Sequence, residues 1–294
     1  MIGVSRSGAI PDGCGSGVAL DLLDRQALRR ALRDQRPQVV YHLAALSSVG
    51  RSWENPSQTL RDNVGSAVSM LEALRLEVPD ARVVWVSSCE VYGAPERLPV
   101  DEDAPVRPAN PYAVSKTTGD LLAGVYSDAH GLDLIRARPF NHAGPRQLPI
   151  FIVSSLARQA AEARIAGASE VEIVTGNPAT RRDFIDARDV ARAYRLLAQR
   201  AAPGVYNVSS GRSISAAEQV QMLARLIAPI QVQHAVDPDR VRSHEVMDLR
   251  GAHDRLTAAT NWEPEIALEQ TMLDTIKWWE KELTSAPPAA APHP

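Results

Sequence analysis

Val83-Val84-Trp85-Val86-Ser87, then Pro111 through His130, then Leu134-Ile135-Arg136-Ala137-Arg138 is the stretch on which the fold turns. The two short runs, the first rich in valine and the second opening on Leu134-Ile135, read as strands, while the segment from Pro111 to His130 has helical spacing. Strand, long helix and second strand make the unit that lays two strands parallel. Asn110-Pro111 supports the helix, with a capping side chain followed by proline at the first helical position.

Outward from this unit the alternation repeats. Ile2 to Val4, Val18 to Leu20, Val39 to Leu43 and Glu172 to Thr175 read as strands, and Arg25 to Arg33, Pro56 to Leu76 and Ile152 to Ala166 as helices. This predicts an α/β fold: a doubly wound, parallel, Rossmann-like sheet with helices on both faces and chemistry at the carboxyl ends of the strands. After Phe140 the pattern loosens and proline becomes frequent, predicting a smaller region interleaved with the sheet. One element of the usual order is missing. The chain opens in a strand that reads as the second of such a sheet, with no first strand and no Gly-rich turn onto a helix. Gly13, Gly15 and Gly17 imitate that turn but precede a strand, so they are read as a plain loop.

The chain has 294 residues, 45% hydrophobic and 23% charged, with a formal net charge of -3, which is ordinary globular material. Such a balance leaves no electrostatic footprint for nucleic acid or an anionic membrane. Cys14 and Cys89 are too few for a disulfide framework and lack metal-ligand spacing, so a reducing cytoplasm and no metal are expected. No signal pattern opens the chain, and no apolar run reaches the ~18 residues of a membrane span. Trp278-Trp279, at helical spacing with Met272 and Ile276, predicts a terminal helix packed on the body. His42, on a buried strand, reads as a core histidine.

The chemistry gathers on the long helix. Tyr112 and Lys116 stand at i and i+4, on one helical face, and the only other lysines are Lys277 and Lys281. A phenol with an ordinary pKa of ~10 is a poor base at neutral pH, and a neighbouring ammonium favours its ionised form. Such a pair can pass a proton to or from a substrate oxygen while hydride moves at carbon. Ser88, at the end of its strand, is placed to hold that oxygen.

Ser87-Ser88-Cys89-Glu90-Val91-Tyr92-Gly93, Asn110-Pro111-Tyr112 with Lys116, and Arg138-Pro139-Phe140-Asn141 together resemble the extended short-chain dehydrogenase/reductases of the NAD(P)-dependent epimerase/dehydratase family, which modify nucleotide sugars. The likeness runs from the first strand to about Trp279. Within the family, His142-Ala143-Gly144-Pro145-Arg146-Gln147, Phe151-Ile152-Val153-Ser154-Ser155 and Arg181-Arg182-Asp183-Phe184 are most similar to reductases acting on GDP-4-keto-6-deoxy-D-mannose.

The resemblance implies roles. Tyr112 is the expected proton donor, Lys116 its ribose-binding partner and Ser88 the oxygen anchor. Asp21 and Leu22 match the segment that contacts adenine, and Leu43, Ala44 and Ala45 the strand end that runs along the cofactor. Pro139, with Tyr112 and Lys116, completes the expected cofactor contacts. Arg6 matches the place where an arginine meets the 2′-phosphate, which favours NADP(H), with NAD(H) as the alternative. Asn141, Arg182 and Arg242 match positions that hold the sugar and its diphosphate; arginine suits a diphosphate because its planar fork donates in pairs. Arg182 also has a plainer reading, an ion pair with Asp183 or Asp186. Arg242 is followed by Ser243 where the family has proline. His142 is read as a positioning residue. Residues 1–140 and 181–210 are then the NAD(P)-binding domain, 141–180 and 211–284 the substrate-binding region, and 285–294 a disordered Ala/Pro-rich tail. A homodimer through Pro56–Leu76 and Pro111–His130 is typical of the family.

The implied reaction is NADPH-dependent reduction of the 4-keto group of GDP-4-keto-6-deoxy-D-mannose to GDP-D-rhamnose. The alternative is GDP-mannose 4,6-dehydration or a related epimerase or dehydratase reaction. Dehydration needs an acid/base carboxylate beside the serine, and Glu90 fills that position. Cys89-Glu90 departs from the Asp-Glu of dTDP-sugar dehydratases, while GDP-mannose dehydratases use a single glutamate; Gly144-Pro145-Arg146-Gln147 leans toward reduction. A further reading, an inactive fragment or nucleotide sensor with weak NADP binding, rests on the missing Gly-rich turn. The retained Ser88, Tyr112 and Lys116 argue against a sensor, and a true start upstream of Met1 is the expected explanation.

Overall fold

A computed structural model describes residues 1–11, 13–241 and 246–285. Its strands are β1 (Ile2–Ser5), β2 (Ser16–Ala19), β3 (Val39–His42), β4 (Arg82–Val86), β5 (Leu134–Pro139), β6 (Asn141–Ala143), β7 (Glu170–Thr175), β8 (Arg181–Asp186), β9 (Gly204–Val208), β10 (Ser213–Ser215), β11 (Gln231–Val236) and β12 (Asp248–Leu249). The helices are α1 (Arg25–Gln35), α2 (Val49–Glu54), α3 (Pro56–Glu77), α4 (Pro111–His130), α5 (Ile152–Ile165), α6 (Ala187–Arg200), α7 (Ala216–Leu226), α8 (Asp254–Thr260) and α9 (Leu268–Ser285).

The parallel unit read from Val83 to Arg138 is present as β4, α4 and β5, with Val83 opposite Leu134. It extends to a parallel sheet in the order β3-β4-β5-β9. Successive side chains of β4 enter different cores. Val83 and Trp85 pack with Leu71 and Leu74 of α3 and Leu28 of α1, while Val84 and Val86 pack with Val190, Ala193 and Leu197 of α6. Burial on both faces is why β4 reads as an unbroken apolar run instead of an alternating one.

β1 and β2 pair in parallel as a separate sheet, and among the described residues no strand joins β1 to β3. Ile2, Val4, Val39, Tyr41 and Leu43 are exposed there. Gly17 lies inside β2, which corrects its reading as loop; Gly13 and Gly15 do lie outside the strands.

The region after Phe140 is more regular than its prolines predict. β8 pairs antiparallel with β10 and parallel with β12 and β6, and β7 pairs parallel with β11. The strand β8 was hidden because Arg181-Arg182-Asp183-Phe184 is polar, and α6 because its exposed face carries Arg188 and Arg195. α5, α7 and α9 share a core of Leu156, Ala160, Val220, Leu223, Met272 and Ile276. Trp279 closes it, donating Nε1–H to Ser154 Oγ at 3.1 Å, so the terminal helix is as expected. That helix includes Ser285, which moves the start of the expected tail by one residue; 286–294 lie outside the described residues. Among the described residues no helix is long and apolar enough to cross a membrane.

Candidate active site

Two segments build the site. Ser88 follows β4 and opens a single 3-10 turn, Cys89–Tyr92, whose Glu90 N–H donates to Ser88 Oγ at 3.2 Å. Gly93 closes the turn at φ +60°, where a side chain would drive a Cβ into the Arg107 carbonyl, so only glycine fits. The second segment is α4. Asn110 Oδ1 caps it by accepting from Ala113 N–H at 2.8 Å, and Asn110 Nδ2 donates to Glu90 Oε2 at 2.9 Å. One side chain therefore starts the helix and ties it to the serine turn.

Tyr112 and Lys116 are each 8% exposed, and α4 packs Tyr112 close enough to the serine turn for the Ser88 hydroxyl to act on its phenol. Burial pushes that phenol well above its ordinary pKa, with the Ser88 hydroxyl opposing, so Tyr112 is a neutral acid at physiological pH. Lys116 Nζ donates to the Val86 carbonyl at 2.6 Å. Burial lowers its ammonium to about 8 against the pull of Asp120. His42 stacks on Trp85 with ring centroids 4.3 Å apart, and burial, then the Lys116 charge, push it down to about 3. It is a neutral core histidine, as its strand position predicts.

The other expected residues distribute as follows. Leu43 and Ala44 are exposed and Ala45 half-buried just past β3, and Pro139 is buried at the end of β5. Arg6 is exposed past β1 and Asp21 past β2, both on the separate sheet; Leu22 packs against the α1–α3 core. Asn141 begins β6, and its Oδ1 is a buried acceptor with no hydrogen-bond partner among the described residues. Arg182 lies close enough to Cys89 for its charge to act there. It donates to the carbonyls of Arg181 at 2.8 Å and Val246 at 2.6 Å, and pairs with neither aspartate. Asp183 instead takes the N–H groups of Ser210, Gly211 and Gly251, and Asp186 binds Arg188, which removes the plainer reading of Arg182. Arg242 and Ser243 lie outside the described residues. His142 Nδ1 lies 3.1 Å from the Phe140 carbonyl, and Gln147 donates to the His142 carbonyl at 2.8 Å.

Ser88, Glu90, Tyr112 and Lys116 thus come together, with Arg182 near the serine turn, while Arg6 and Asp21 stand on the other sheet. Sequence reasoning passed over Asn63. Its Nδ2 donates to Ser115 Oγ at 2.9 Å and to the Leu46 carbonyl at 3.1 Å, fixing the loop after β3 against α4. It also passed over Asp120, although the i+4 spacing from Lys116 was a usable signal.

Comparison with known proteins agrees with this geometry. The family model described as GDP-mannose 4,6 dehydratase matches residues 16–275. GDP-6-deoxy-D-mannose reductase of Pseudomonas aeruginosa is 36% identical over 266 residues, covering 90% of this chain and 86% of the relative. UDP-glucose 4-epimerase of Mycolicibacterium smegmatis is 30% identical, over 90% of this chain and 83% of the relative. Among solved structures, RMD from Pseudomonas aeruginosa complexed with NADPH superposes with a TM-score of 0.81 at 32% identity, covering 93% of this chain and 90% of that one. The chain belongs to the GDP-mannose 4,6-dehydratase family, among the extended short-chain dehydrogenase/reductases that act on nucleotide sugars.

Proposed function

We propose that the protein reduces the 4-keto group of GDP-4-keto-6-deoxy-D-mannose to GDP-D-rhamnose. The observation that carries this reading is Tyr112: a buried, neutral phenol on the helix packed against the Ser88 turn, the state a proton donor needs before a ketone is reduced. The similarity to the GDP-6-deoxy-D-mannose reductase supports it. NADP(H) is the proposed cofactor, with NAD(H) the alternative, and when bound it supplies the hydride.

The fit of the chain to that cofactor is good at the reacting end. Leu43, Ala44 and Ala45 leave an open strand end beside β4, Lys116 presents an ammonium there for a ribose hydroxyl, and Pro139 lies at the end of the next strand. Asp21 and Leu22 are assigned to the adenine and Arg6 to a 2′-phosphate. At the substrate, Ser88 and Tyr112 hold the ketone oxygen. As hydride reaches C4, Tyr112 passes its phenolic proton to that oxygen, and Lys116 steadies the phenolate left behind. Asn141, through its unpartnered Oδ1, accepts from a sugar hydroxyl, and Arg182 with Arg242 meets the diphosphate. On this reading, 1–140 with 181–210 serve the cofactor and 141–180 with 211–284 the sugar nucleotide. The stripe Val114, Leu121 and Val125, exposed on α4, is the proposed homodimer seam, with α3 as the second helix taking part.

A second reading, 4,6-dehydration of GDP-mannose, has Glu90 in its favour. It lies two residues past Ser88, and Asn110 binds its Oε2 in a fixed orientation. Purified protein supplied with the 4-keto sugar and NADPH, and separately with GDP-mannose and NADP+, separates the two. Reduction predicts NADPH oxidation with the 4-keto sugar and no change with GDP-mannose; conversion of GDP-mannose to its 4-keto-6-deoxy form contradicts it.

A further inference from the structure

The two halves of the site come from different stretches of chain, and besides the Asn110–Glu90 bond a buried guanidinium joins them. Arg138, on β5 and 4% exposed, donates from Nε to Asp120 Oδ2 at 2.9 Å and from Nη2 to Asp120 Oδ1 at 3.0 Å. Its third nitrogen, Nη1, donates to Tyr92 Oη at 3.0 Å. Tyr92 ends the turn that Ser88 begins, and Asp120 lies one helical turn past Lys116 and two past Tyr112. Tyr92 Oη in turn donates to Asn207 Oδ1 at 2.7 Å, and Asn207 N–H to Glu102 Oε1 at 2.8 Å. All of these side chains are buried.

A buried ion pair of this kind is weak evidence for stability, because removing both charges from water costs about as much as their attraction returns. Fixing a register is the better-attested use. The strand pattern agrees: Ile135 and Ala137 face the α6 core, while Arg136 and Arg138 face Asp120 of α4.

We propose that Arg138 and Asp120 are positioning residues for the reaction assigned above, clamping the serine turn to α4 so that Ser88 and Tyr112 face one substrate oxygen, and setting a carboxylate beside the Lys116 ammonium. The clamp rests on that functional reading; the electrostatic arm does not. Lys116 is met by Asp120 from its own helix, by His42 from β3 and by the Val86 carbonyl from β4, with Tyr112 one helical turn before it. Asp120 is met by Arg136 and Arg138 from β5, Ser87 after β4, and Tyr92 from the turn. Replacing Asp120 by asparagine leaves both arginines and removes the carboxylate, so Lys116 must release its proton at lower pH.

With only three lysines in the chain, NMR of protein labelled at lysine Cε resolves the Lys116 titration without any need for turnover. In the wild type it lies near 8; in Asp120→Asn it is expected about one unit lower. A folded Asp120→Asn protein whose Lys116 titrates where the wild type does overturns the electrostatic arm. Tyr92→Phe, which removes one hydroxyl and no charge, tests the clamp and serves where Asp120→Asn fails to fold. Its kcat for the 4-keto sugar is expected to fall about tenfold with KM for NADPH unchanged, as for one lost orienting contact. Unchanged kcat overturns the clamp. A wild type that reduces no 4-keto sugar contradicts the functional reading and with it the clamp, while the lysine titration still decides the electrostatic arm.

Discussion

Tyr112 and Lys116 are both displaced from their ordinary ionisation by burial, and in opposite senses. The phenol is held neutral and the ammonium is eased toward neutrality at about 8. Tyr112→Phe keeps the ring and loses the proton; we expect reduction to fall about 10²- to 10⁴-fold, the usual worth of a positioned acid, with NADPH binding retained in a fluorescence titration. Lys116 gives a pH signature with a defined sign. Its folded pKa lies below the unfolded value, so between about 8 and the ordinary lysine range the unfolded chain binds more protons. This group's contribution to stability therefore rises with pH across that window, while activity, which needs the ammonium, falls. Urea midpoints compared with Lys116→Met, alongside kcat/KM across the same range, check both slopes.

At the scale of elements, the junction between the serine turn and α4 decides the site. Asn110 caps the helix with its oxygen and holds Glu90 with its amide nitrogen, and the two functions separate by mutation. Asn110→Ala loses both, and a cost of about 1 kcal/mol is expected from the missing cap. Asn110→Asp keeps a good cap but sets a second carboxylate against Glu90. Its helix should remain, by circular dichroism, while turnover falls; equal turnover in Asn110→Asp and wild type would show that the Asn110–Glu90 tie does not set the site. The spacing of Tyr112 and Lys116 and the Asn110-Pro111 start were legible in the sequence, because helical periodicity and caps are local. The Asn110–Glu90 and Asp120–Arg138 bonds were not, since they join residues 20 and 18 apart that meet only once β4, α4 and β5 are packed. The polar strand β8 escaped for a related reason: its pairing with β6, β10 and β12, not its composition, makes it a strand.

For the whole molecule, the parallel sheet and its two covering layers followed from the apolar run of β4 and the repeated strand–helix alternation, whereas the order of the second region followed from nothing local. That region interleaves through β8 and β9, so the sheet that presents Tyr112 and the strands that present Asn141 and Arg182 share one chain path. The exposed Val114, Leu121 and Val125 on α4 make a further prediction at this scale. An apolar helix stripe is removed from water by pairing with a second copy. The protein should run as a dimer by light scattering, and Leu121→Glu with Val125→Glu should run as a monomer. A wild-type monomer would contradict the proposed seam.

The central claim is that this site reduces a 4-keto sugar nucleotide and that Tyr112 supplies the proton. The most direct measurement follows NADPH absorbance when the protein meets GDP-4-keto-6-deoxy-D-mannose at saturating NADPH, in wild type and Tyr112→Phe, with a parallel incubation of GDP-mannose and NADP+ analysed for its 4-keto-6-deoxy product. The account predicts oxidation by the wild type with the 4-keto sugar alone, and near-complete loss in the variant. Equal rates in the two proteins, no oxidation by the wild type, or turnover of GDP-mannose would contradict it.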